Sequence, residues 1–207
     1  MSNERPEPAA YFTERLPAQF DRALREQERA VETTQRVLDG MRGVTTTLVV
    51  RVTGEGGGTF HLNVDEGRLT PGDAPTHRVL LTLVQDRRGF ERLIADAGDS
   101  ALGFLGGLTG LADEMKLTKA RVEALAGVSG TLLFAVGGDD GFELTTHFGD
   151  GEPNEPPDAS ILVDPAVYAE LREGRLDAGN AFMGGKLEVE GDMQLAMQVA
   201  LAAMAPD

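Results

Sequence analysis

Three histidines, four serines and no cysteine bound the chemistry open to this 207-residue chain. Without cysteine there are no disulfides, thiolate nucleophiles, Cys-ligated zinc sites or iron–sulfur clusters. No serine lies in G-x-S-x-G, since Gly127-Val-Ser-Gly-Thr puts Thr131 where glycine is required, so a serine hydrolase is not expected. His61, His77 and His147 show no H-x-H or H-x₃-H spacing, and no metal site is expected. The Gly54–Gly58 run GEGGG lacks a following Lys-Ser/Thr and reads as a hairpin tip. Gly179-Asn-Ala-Phe-Met-Gly-Gly-Lys fails as a Walker A loop by one residue, the extra Gly185, and has no hydroxyl after Lys186. What is left is acid–base work by a carboxyl or imidazole in an apolar cavity, where burial raises a carboxyl pKa. Glu143, His147 and Asp164 are the candidates. The competing reading has Glu143 and His147 facing solvent and Asp164 capping a helix beside Pro165.

The elements that would position these groups follow from periodicity. Residues 1–10 are polar, carry Pro6 and Pro8, and read as a disordered lead-in. From Phe12 to Met41 apolar residues recur at helical spacing, an amphipathic helix expected to dock by its apolar stripe. Two β-hairpins are expected, Thr47–Val52 with Thr59–Val64 and Thr131–Val136 with Phe142–Phe148, each turned through glycines. Each precedes a Pro/Gly-rich loop, a further strand (His77–Leu83, Ala159–Asp164) and a short helix (GFERLIA, PAVYAELR). Lys186–Gly191 alternates charged and apolar side chains as a half-buried strand does. Asp192 can then cap a helix beginning at Met193, whose surface only Gln194 and Gln198 interrupt. The rest of its circumference is expected to be buried in a core, a cavity or a partner.

The order of elements repeats. Thr47 aligns with Thr131 at an offset of 84, Phe60 with Phe142 and Val79 with Ile161 at 82, and Phe90 with Tyr168 at 78. Phe104-Leu-Gly-Gly and Phe182-Met-Gly-Gly keep the 78-residue offset, as do Met115-Lys-Leu and Met193-Gln-Leu. The expectation is an α+β protein of mixed β-sheets covered by helices, made of two fused copies: residues 11–126, with a long first helix, and residues 127–207. Residues 113–126 are expected to form a helix serving both copies. The Gly103–Ala112 run could be a pocket mouth or a packing strand.

Composition narrows the partners. A formal net charge of −15 and a pI near 4.6 oppose nucleic acid and anionic membranes, and no basic patch offsets them. No apolar leader or membrane-length run is seen, so a cytoplasmic, soluble protein without stable membrane insertion is expected.

Asn180–Ala202, NAFMGGKLEVEGDMQLAMQVALA, resembles the C-terminal signature of the sterol carrier protein type-2 family: a short loop, an F-M-x-G-K-L strand, an E-G-D turn and an amphipathic Leu/Met helix. Asp158–Gly179 is also similar, and with the hairpin from Thr131 the resemblance covers Val128–Met204. The first copy matches less well, with Leu108, Gly110 and Ala112 where the second has Lys186, Glu188 and Glu190. The resemblance implies helices over a mixed sheet around an apolar tunnel. It implies a non-enzymatic carrier of sterol, fatty acid, acyl-CoA or other lipid, with no catalytic residue and no cofactor. By position, the tunnel residues would be Phe142, Leu144, Val167, Leu171, Phe182, Met183, Met193 and Met197. Methionine suits such a wall because its unbranched thioether adapts to varied shapes. The alternatives are a cavity enzyme acting on a hydrophobic substrate, and an interaction module whose last helix makes a homodimer without ligand.

Overall fold

The computed structural model describes residues 11–100, 115–176 and 178–203. The expected lead-in at 1–10 and the Gly103–Ala112 run lie outside these. Two compact units divide the chain, Met1–Asp39 and Gly40–Asp207. The first unit holds a π-helical turn, Tyr11–Arg15, and most of helix α1, Leu16–Arg42. The expected amphipathic helix is present, but no residue of it is buried, and Phe20, Leu24 and Val31 are exposed.

The second unit is built on one sheet of eight strands. Their ranges are β1 Thr46–Thr53, β2 Gly58–Asp65, β3 Arg68–Gly72, β4 Val79–Asp86, β5 Gly130–Val136, β6 Phe142–Phe148, β7 Ala159–Val163 and β8 Leu187–Gly191. Their order is β3-β2-β1-β4-β6-β5-β7-β8. The hairpins β1–β2 and β5–β6 are antiparallel, and each first strand takes a parallel neighbour, β4 beside β1 and β7 beside β5. β4 and β6 pair antiparallel, so both halves of the chain share one sheet. Among the described residues, helices α2 Arg87–Ala97, α3 Lys119–Ala126, α4 Pro165–Arg172, α5 Ala178–Met183 and α6 Met193–Ala203 accompany the sheet. This is the expected α+β class with a mixed sheet.

The pairings revise the repeat frame. Thr47↔Asn63 in β1–β2 corresponds to Thr131↔His147 in β5–β6, an offset of 84 on both strands. Phe142 therefore occupies the place of Gly58, not of Phe60. Val52↔Gln85 corresponds to Val136↔Val163, so the 78-residue offset already holds at β4, and Ile161 answers to Leu83 rather than Val79. The whole step falls between β2 and β4, where the first half carries the β3 hairpin in place of the expected loop. The helices that follow start alike: Asp86 accepts from the Gly89 amide at 2.7 Å and Asp164 from the Ala166 amide at 2.8 Å.

Two further elements differ from expectation. Phe182 and Met183 end helix α5 rather than beginning a strand, because Gly184 and Gly185 stop the helix and β8 starts only at Leu187. α3 starts at Lys119, where Thr118 caps it, so the shared helix is shorter than the expected 113–126.

Candidate ligand-binding site

Strand alternation sorts the sheet into two faces. One carries Leu48, Val50 and Val52 of β1, Leu81 and Leu83 of β4, Phe142 and Leu144 of β6, Leu132, Phe134 and Val136 of β5, and Ile161 and Val163 of β7. All are buried in one apolar cluster. Helices cover this face. Tyr168 of α4 sets its ring 5.3 Å from that of Phe142 and 6.2 Å from that of Phe134, and Phe134 and Phe142 lie 6.3 Å apart. α6 contributes Leu195, Ala196, Val199 and Ala202 to the same cluster, and α3 packs beside it with Leu125 fully buried.

Asp192 starts α6 as the sequence suggests, its carboxylate accepting from the Gln194 and Leu195 amides at 2.9 and 3.1 Å. The Asp192 amide donates to the Asp158 carbonyl at 2.8 Å, which ties the start of α6 to the start of β7. Asp158 in turn accepts from the Thr131 amide at 2.7 Å and the Asn154 side chain at 2.8 Å. The Thr131 bond, ahead of the Asn154 bond, holds its carboxyl below the usual range.

The eight residues expected around a tunnel divide by burial. Phe142 and Leu144 are buried; Val167, Leu171 and Phe182 are half-buried against the core. Met183, Met193 and Met197 are exposed, at 83%, 46% and 47%. With Leu201, Met193 and Met197 make an outward stripe at four-residue spacing on α6. The expectation that Gln194 and Gln198 alone break a buried circumference is therefore corrected: Leu195 and Val199 face the core and the methionines face out.

The apolar face opens at the β5–β6 turn. A cavity of about 280 Å³ lies there between Val136, Phe142, Pro165 and Tyr168, rimmed by Arg92, Asp139 and Asp140. The Tyr168 hydroxyl donates a short hydrogen bond to Asp96, whose carboxylate also accepts from Arg92 at 3.1 Å. Arg92 lies 5.4 Å from the centre of the Tyr168 ring, and Arg172 donates to the Asp96 carbonyl at 2.7 Å. This cluster joins α2 to α4 beside the opening. Burial, and next the Asp96 bond, push the Tyr168 phenol well above its ordinary value.

The three acid–base candidates stay out of the apolar side. Glu143 is exposed and Asp164 is the cap of α4. His147 has the opposite strand parity to Phe142 and Leu144, which puts it on the other face. It does not face solvent: it is buried, with Nδ1 2.9 Å from the Thr131 hydroxyl, which accepts from the Asn154 amide at 2.8 Å. In the first half Thr47 donates to Asn63 at 2.7 Å and accepts from the His77 amide at 3.2 Å. Asn63 also accepts from the Thr76 amide at 3.0 Å and donates to the Ala74 carbonyl at 3.1 Å. Both networks pin the loop after a hairpin to the sheet. Sequence reading used Thr47 only to set the repeat and passed over Asn63; their place in the 84-residue frame, matching Thr131 and His147, was the available signal. Among the described residues no group of His, Asp or Glu is arranged to hold a metal, and no helix is long and apolar enough to cross a membrane.

Compared with known families, residues 112–203 match the SCP-2 sterol transfer family. That stretch is an SCP-2 domain. It takes in α3, the β5–β6 hairpin, β7, β8 and the helices α4 to α6. Solved structures similar to the chain include palmitated SCP2L2 from Aedes aegypti, at 20% identity and a TM-score of 0.31 over 42% of this chain and 88% of that one. Sterol carrier protein 2 from Yarrowia lipolytica in its apo form is 16% identical, with a TM-score of 0.27 over 56% and 90%. The sterol carrier protein domain 2 of Helicoverpa armigera is 21% identical, with a TM-score of 0.27 over 57% and 87%. No protein of curated function matches the chain. The SCP-2 family in general binds lipids without chemistry, and the SCP-2 domain here has its buried apolar face and covering helices within the matched residues.

Proposed function

We propose that this protein is a non-enzymatic carrier of a lipid-like ligand, held between the apolar sheet face and helices α4 to α6. The observation that carries the reading is the opening at Phe142 and Tyr168, where the buried face of an SCP-2 domain meets a cavity. Phe142, Leu144, Val167, Leu171 and Phe182 form the wall, and the exposed Met183, Met193 and Met197 form the surface a lipid crosses on its way in. Burying an acyl chain contributes about 0.8 kcal/mol per methylene, enough to hold a long chain without a charged anchor. The strong negative charge favours a ligand that is apolar or weakly polar over nucleic acid or an anionic bilayer. The reading takes the carrier to be a cytoplasmic protein and its two halves to be diverged copies of one unit.

Native mass measurement, followed by solvent extraction, tests this. A co-purified lipid of defined mass, or uptake of a fluorescent fatty acid that weakens in Phe182→Asp, supports the carrier. An empty protein that also refuses the fatty acid sinks it.

A second reading is favoured by the exposed Met193, Met197 and Leu201 stripe, which a homodimer would cover. Light scattering over a dilution series separates the two. A protein that binds no lipid and stays monomeric at every concentration contradicts both.

A further inference from the structure

One buried polar side chain on the apolar face lacks a partner. Gln85, near the end of β4, is 3% exposed, and neither its Oε1 nor its Nε2 makes a hydrogen bond. Strand parity places it with Leu81 and Leu83, and the Leu83↔Thr146 pairing puts it on the face of Phe142 and Leu144. A carboxamide unpaired in such surroundings loses its hydration and gains nothing in return. The fold does not call for an amide here: the matching place beside Val136 is held by Val163, as Gln85 stands beside Val52.

Gln85 also borders an open cavity of about 480 Å³ at the ends of β4 and β6, whose wall takes Val136 and Phe142 from the apolar face and Val84, Glu143 and Thr145 from the other. Its charged neighbours there are already engaged or point outward. Arg88 donates to the Asp139 and Gly141 carbonyls at 3.2 and 3.5 Å, Asp86 caps α2, and Glu143 is exposed. With Asp86 and Glu143 against Arg88, the surroundings are acidic on balance and disfavour an anion.

We propose that Gln85 anchors the head group of the ligand, and that this head is neutral and carries a donor and an acceptor side by side. A protonated carboxylic acid and a primary amide on a long chain share that chemistry. Either pairs edge to edge with the carboxamide, donating to Oε1 and accepting from Nε2, and satisfies both atoms in one contact. This deepens the carrier reading and rests on it.

The test is displacement of a fluorescent apolar dye by oleamide, oleic acid and methyl oleate. Methyl oleate lacks the donor. Wild-type protein is expected to bind oleamide about tenfold more tightly than methyl oleate, as loss of a paired neutral contact implies. Gln85→Met is expected to erase that preference by weakening oleamide more than methyl oleate, whose ester carbonyl accepts from Nε2 but which has nothing to donate to Oε1. If oleic acid uses the same contact, its affinity falls as pH rises from about 5 to 8 while that of oleamide holds, because ionisation removes its donor. Equal binding of oleamide and methyl oleate by wild-type protein overturns the anchor, and this comparison needs no variant. A Gln85→Met protein that keeps the full preference overturns it as well. If wild-type protein takes up none of the three, the carrier reading itself fails, and the anchor with it.

Discussion

Gly191→Ala tests how the start of α6 is held. Gly191 has φ +79°, and a Cβ at this position would lie 2.4 Å from the Asp158 carbonyl oxygen and 3.3 Å from the Ala159 Cα. Real Cβ contacts essentially never fall below 3.0 Å, so the backbone must part by several tenths of an ångström. The neighbouring Asp192 amide spans 2.8 Å to the same Asp158 oxygen, and that bond is the one to go. A left-handed alanine costs about 1 to 2 kcal/mol and the lost bond about 1 kcal/mol, for about 2 to 3 kcal/mol in total. Gly185 is the internal control: its φ is +67°, and a Cβ there would meet nothing within 4 Å. Gly185→Ala is therefore expected to cost only the conformational part, about 1 to 2 kcal/mol. Thermal unfolding followed by circular dichroism should show a midpoint drop of roughly 7 °C for Gly191→Ala against about 4 °C for Gly185→Ala. Equal drops for the two variants would refute the contact argument and leave α6 anchored by its apolar face alone.

Two pH effects follow from the same frame. Tyr168 is the sole tyrosine in a Tyr11→Phe background, and its phenol is raised in the folded state. Its stability contribution is complete below the unfolded tyrosine value near 10 and is lost as pH climbs from there toward the folded value. Tyrosinate absorbance at about 295 nm should therefore stay low past about pH 10.5 while the far-ultraviolet spectrum is native. Ordinary titration near 10 in folded protein would contradict the burial of the phenol and, with it, the Asp96 contact. Asp158 is shifted the other way, so its contribution is present above the unfolded value of about 3.9 and is lost as pH falls through the lower folded one. Urea unfolding should find Asp158→Asn weaker than wild type by about 1 kcal/mol at about pH 6, with the gap closing below about pH 4. A gap that does not change with pH would rule out the carboxylate as its source.

Much of the fold could be read locally. The hairpins stand where alternating β-branched residues flank glycine, and Asp164 and Asp192 cap the helices beside them, because these features depend on neighbours within a few residues. β3 was missed: Arg68–Gly72 is a short, wholly exposed edge strand with no apolar alternation to mark it. The burial of His147 was missed as well, since a polar residue inside a strand reads as solvent-facing until its partner Thr131, 16 residues away, is known. For the candidate site, the family resemblance pointed to Phe142 and Leu144, and both are buried on the apolar face. It could not distinguish Leu195 and Val199 from Met193 and Met197, because all four are apolar and only the position of the sheet decides which side of α6 is inside.

By itself, the sequence determined the local elements, the α+β class and the family signature at the C-terminal end, since each rests on residue types at short spacing. Only the tertiary structure decided that β4 pairs with β6 to make one sheet, that the cavity opens at Tyr168, and that Gln85 is buried without a partner. Strand pairing brings together backbone groups more than 60 residues apart, and no local pattern encodes which edge will meet which.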